Sequence, residues 1–74
     1  MDNDPKLYMG LAAAVVELAI RHLTATEPKH RRMARAWFLM EPNPARGFWV
    51  SCAGLDEDAL LERLHARGLL EPEE

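Results

Sequence analysis

The run Phe48-Trp-Val-Ser-Cys-Ala-Gly-Leu-Asp-Glu-Asp-Ala-Leu-Leu-Glu-Arg-Leu64 constrains this chain more than any other segment. It reads as a short apolar helix, a Gly-Leu-Asp turn and a second amphipathic helix, the order a helix-turn-helix requires. Gly54 can adopt the left-handed conformation closed to most residues, and Asp56 can cap the helix that follows. In this reading Leu60 and Leu64 face back onto Trp49, Val50 and Ala53.

Upstream, two further helices are expected. The first starts with Asp4 as cap and Pro5 in the first turn and runs to Leu23. Leu7, Leu11, Ala14, Val15, Leu18 and His22 form one apolar stripe on it. Tyr8, Ala12, Val16, Ala19, Ile20 and Leu23 form a second. A helix apolar on more than one face is buried on more than one face, so it is either a central packing helix or a homodimer interface. The second helix is expected over 27–40 with Thr26 as cap and Pro28 in its first turn. It divides into an apolar arc (His30, Met33, Ala34, Trp37, Phe38, Met40) and a basic arc (Lys29, Arg31, Arg32, Arg35). Residues 41–47, with Pro42 and Pro44, read as a loop, and the third helix is expected over 48–53. The last helix ends at Gly68, after which Leu69 and Leu70 can fold back on the core. The expectation is an all-α, compact four-helix domain across residues 1–74, ordered over about 5–70, with a C-terminal helix-turn-helix-like unit.

Three pieces carry a resemblance: Leu11-Ala-Ala-Ala-Val-Val-Glu-Leu-Ala-Ile-Arg-His-Leu23, Arg35-Ala-Trp-Phe38 and the Phe48–Leu64 run. Together they resemble a family of small uncharacterised bacterial and prophage proteins described as helix-turn-helix-like. The resemblance spans roughly residues 9–67 and implies fold more than role. The chain departs from that pattern at Cys52, two residues before Gly54 instead of about four. It departs again in the last helix, which has Arg63 and Arg67 where that family has an arginine cluster.

Charge is unevenly placed within the net −3. Residues 1–20 carry net −2, residues 21–46 net +4, and residues 47–74 net −5. A basic centre between acidic ends suits either double-stranded DNA or an acidic protein meeting the middle segment. The candidate binding residues are Lys29, Arg31, Arg32, Arg35 and Arg46, with Arg63 and Arg67 on the last helix. Arginine forks grip phosphates and carboxylates alike. Against DNA stand the acids Asp56, Glu57, Asp58 and Glu62 on the helix that would read bases, since each opposes phosphate contact. The leading expectation is a small prophage-type accessory or regulatory protein binding nucleic acid through this basic face. The alternative is an adaptor or inhibitor that uses the same arginines on a protein.

Other classes receive little support. His22, His30, His65 and Cys52 have no metal-ligand spacing, and there is no Gly-rich phosphate loop or nucleophile with a base beside it. No catalytic residue, cofactor or metal is expected, and the chain is not read as an enzyme. Trp37, Phe38, Phe48 and Trp49 are expected to form one aromatic cluster in the core, with Trp37 and Trp49 buried near each other. The single Cys52 excludes an intrachain disulfide, and the apolar stretch from Leu7 to Ile20 is too short to span a bilayer. A cytoplasmic protein with no membrane partner is the corresponding expectation.

Overall fold

A computed structural model describes residues 5–72 of the chain. It has four helices, α1 (Pro5–His22), α2 (Pro28–Leu39), α3 (Pro44–Cys52) and α4 (Glu57–Ala66), and no strand among the described residues. The all-α, four-helix architecture is therefore as the periodicity indicates. Asp4, the expected first cap, lies outside the described residues.

Two of the four helix C-termini share one device. After α3, Gly54 has φ 78°, its N–H donates to Ser51 O at 2.9 Å, and Leu55 N–H donates to Val50 O at 3.1 Å. After α4, Gly68 has φ 72°, with Gly68 N–H to His65 O at 3.0 Å and Leu69 N–H to Leu64 O at 3.1 Å. Both are Schellman closures, in which a left-handed residue lets the chain satisfy its last carbonyls and reverse. The first reversal starts α4, where the Asp56 carboxylate accepts from Asp58 N–H at 3.0 Å. The second returns Leu70 to the interior, where it is buried.

The core forms where α1, α2 and α4 converge. Leu23, Ala34, Phe38, Leu64 and Leu70 are buried together, with Ile20, Trp37 and Leu60 packed against them. Leu64 thus turns to α1 and α2, not to Val50 as the sequence suggests. α1 also packs extensively on α3, and Ala12 and Val16 of the one and Val50 of the other are fully covered. The second of the two α1 stripes is the buried one, Tyr8 apart. Leu11 and Leu18 of the first remain 56% and 52% exposed.

Two helix starts differ from expectation. The N-cap of α2 is Glu27, one residue after the expected Thr26, with no side-chain cap bond, and Pro28 begins the helix. α3 begins at Pro44, four residues before the expected start, with Asn43 as cap accepting from Arg46 N–H at 3.1 Å. Pro44 does not break this helix because it sits at the first position, where its missing N–H has no intrahelical partner to lose.

The earlier start changes which side chains of α3 face inward. Arg46 and Val50, one turn apart, are buried. Phe48 lies about 200° from Arg46 at 100° per residue, and it is 59% exposed. The expected cluster of four aromatics consequently resolves into two pairs, Trp37 with Phe38 at 5.0 Å and Phe48 with Trp49 at 5.3 Å. Phe38 is buried, whereas both tryptophans are only partly so.

Candidate functional site

The expected cationic residues fall into three structural groups. Arg46 is the clearest correction, because it is 3% exposed and cannot meet an outside partner. Its Nε donates to Glu57 Oε2 at 2.6 Å, while Nη1 donates to the carbonyls of Phe38 and Met40 and Nη2 donates to Glu41. The carbonyls at the end of α2 have no helical N–H to receive, and the guanidinium supplies donors to them. Asn43 adds an Nδ2 bond to Trp37 O at 2.7 Å. One buried cation therefore joins the end of α2, the start of α3 and the first residue of α4. Burial alone would depress the Arg46 pKa. Hydrogen bonds and charge from Glu57 and Glu41 outweigh it, and the group is held above its ordinary value.

The α2 arginines do not form the uniform solvated face that their spacing suggests. Arg31 reaches back to the turn before α2, donating to Ala25 O at 2.6 Å and Thr26 O at 2.9 Å. Arg31 and Arg35 are each partly buried, whereas Lys29 and Arg32 are exposed. The structure thus ties Arg31 into the α1–α2 corner. A flexible cationic cluster would leave it clear of that corner.

Arg63 and Arg67 are different. Both are exposed, one turn apart at the end of α4, and neither side chain has a hydrogen bond or ion pair among the described residues. They border a continuous depression between α1 and the α3–α4 turn. Three adjoining cavities of about 580, 210 and 200 Å³ share Ile20, Leu55, Leu60 and Arg63 among their walls. Sequence reasoning named the two arginines but not the groove, which arises only once α1 is laid beside the turn.

At the start of α4, the acids have local work. Asp56 caps the helix, and Glu57 holds Arg46. Asp58 and Glu62 remain exposed. Among the described residues no group of His, Cys, Asp and Glu is placed to hold a metal ion, and no helix is long and apolar enough to cross a membrane. No family model, no curated protein and no solved structure matches the chain, so the resemblance rests on its quoted motifs alone.

Proposed function

We propose that this chain is a small protein-interaction module that associates with a second copy through the outer face of α1. The observation supporting this most strongly is the stripe Tyr8, Leu11, Val15, Leu18, in which Leu11, Leu18 and Tyr8 are more than half exposed and Val15 is partly so. The spacing of three, four and three residues is that of a coiled-coil seam. A contiguous apolar strip left open on a small domain marks an interaction surface. No member of the strip carries charge. Two-fold pairing sets the same strip against itself, so it meets no like-charge penalty, which makes a second copy the fitting occupant. A cytoplasmic setting accords with the unpaired Cys52.

Sedimentation from micromolar concentration upward tests this reading. The expected mass exceeds the 8.4 kDa of one chain. Changing Leu11 and Leu18 together to Glu should return a monomer with unchanged helix content. A strictly monomeric natural chain at high concentration rejects the proposal.

The nucleic-acid reading, with the prophage-type accessory role that the resemblance implies, has a more limited basis. It draws on the α3–turn–α4 order and on exposed Lys29, Arg32, Arg63 and Arg67. Arg46 no longer contributes, and Arg31 has carbonyl partners of its own. Random duplex DNA in a retardation assay at two salt concentrations separates the readings. Phosphate binding should weaken steeply with salt, by about 0.9 in log–log slope per phosphate contacted.

A further inference from the structure

We propose that the groove between α1 and the α3–turn–α4 unit binds an acidic amphipathic helix from another protein. This surface is distinct from the outer stripe of α1. At 100° per residue, Ala13, Glu17 and Ile20 lie on the side of α1 away from Leu11 and Leu18. The groove proposal therefore goes beyond self-association and does not depend on it.

The floor is aliphatic. Val16, Ile20, Leu55 and Leu60 line the connected cavities, and Leu55 is 47% exposed. α4 runs ten residues along one wall, about 15 Å at 1.5 Å per residue. That length suits a partner helix of about three turns, whose side chains at i, i+3 or i+4 and i+7 would seat on the floor.

The rim fixes the partner's charge. Arg63 and Arg67 stand exposed along the α4 wall without an ion pair among the described residues. Across the opening, Arg21 makes a loose 3.9 Å contact with Glu17, and on the α4 side the Asp56 carboxylate receives Asp58 N–H. Arg21, Arg63 and Arg67 against Glu17 and Asp56 leave the lining net positive, and carboxylates on the flanks of a docked helix beside Arg63 and Arg67 would complement it. A nucleic acid would find the cations but no aromatic platform on this floor for its bases to stack upon.

The test uses the full chain and two designed helical peptides with the same leucine stripe, one flanked by Glu and the other by Lys. Amide chemical shifts map the binding site, and titration gives the affinities. The Glu peptide should bind more tightly, with shifts centred on Ile20, Leu55 and Arg63. Changing Arg63 and Arg67 together to Glu should weaken it at least tenfold and reverse the preference, while Leu55→Gln should weaken both peptides. These positions are exposed, so the helical circular dichroism of each variant should match that of the natural chain.

Absence of shifts at millimolar Glu peptide overturns the proposal, as does equal affinity for both peptides. Shifts confined to Leu11 and Leu18 also overturn it, by assigning peptide capture to the outer stripe. Duplex DNA shifting Arg63 and Arg67 where the Glu peptide does not would assign the rim to phosphate instead. A natural chain that sediments as a monomer yet binds the Glu peptide here would reject self-association alone.

Discussion

The cost of removing Arg46 depends on what it leaves behind. Arg46→Ala would strand the Phe38 carbonyl and the Glu57 carboxylate without their donor at a site that is 3% exposed. Hydrogen bonds to a charged group contribute about 1.5–3 kcal/mol each, and losing several together should cost about 3–5 kcal/mol, comparable to the stability of a domain this small. The two acids should rank below it by their exposure. The Glu57 side chain is 33% exposed, and losing its hydrogen bond to a charged group should cost about 1.5–3 kcal/mol. The Glu41 side chain is 65% exposed, and Glu41→Ala should cost no more than about 1 kcal/mol. Urea unfolding of the three variants gives the order directly. Equal losses for Arg46→Ala and Glu41→Ala would show that the clamp is not what holds the helices together. The Gly54 turn is a milder case. An added Cβ would lie 3.7 Å from Met9 Cε, ordinary contact, so Gly54→Ala should lose only about 1 kcal/mol for its positive φ. That glycine was legible from sequence because the constraint is local. Arg46 was not, because its burial depends on carbonyls and carboxylates brought together from three other places in the chain.

At the scale of elements, the position where α3 starts decides which aromatics matter. A helix beginning at Pro44 buries Arg46 and Val50 and turns Phe48 outward. Phe38→Ala in α2 should therefore cost about 3–5 kcal/mol, as for a buried aromatic, whereas Phe48→Ala should stay within about 0.5 kcal/mol. Thermal melts of the two variants are the check, and comparable losses would contradict this helix register. Asn43 connects the elements by capping α3 and donating to Trp37 O, so Asn43→Ala should lose about 1–2 kcal/mol. The signal for this helix start was present in the sequence as Asn43-Pro44, a cap followed by a first-turn proline. Pro42, two residues earlier, masks that signal, because two closely spaced prolines also mark a loop. Helix four was legible to within its last turn, because Asp56 and Gly68 mark its ends by local chemistry that tertiary contacts do not alter.

For the whole molecule, the apolar surface of α1 exceeds what the described residues cover. The sequence showed two stripes on that helix, and the fold accounts for most of one. Which stripe would be covered could not be read from periodicity, since both are comparably apolar. The choice follows from where α3 and α4 land. Leu11 and Leu18 remain open to solvent on the outer face. If a second copy covers this stripe, stability and association become one equilibrium. Each tenfold rise in concentration then adds about 1.4 kcal/mol per dimer, or about 0.7 kcal/mol per chain. A domain of this size should answer with a melting temperature higher by roughly 3–6 °C per tenfold. The Leu11→Glu and Leu18→Glu double variant should melt at the same temperature at every concentration. Melting curves of the natural chain that superimpose across two decades of concentration would reject the coupling, even if a weak dimer were seen at the highest concentration.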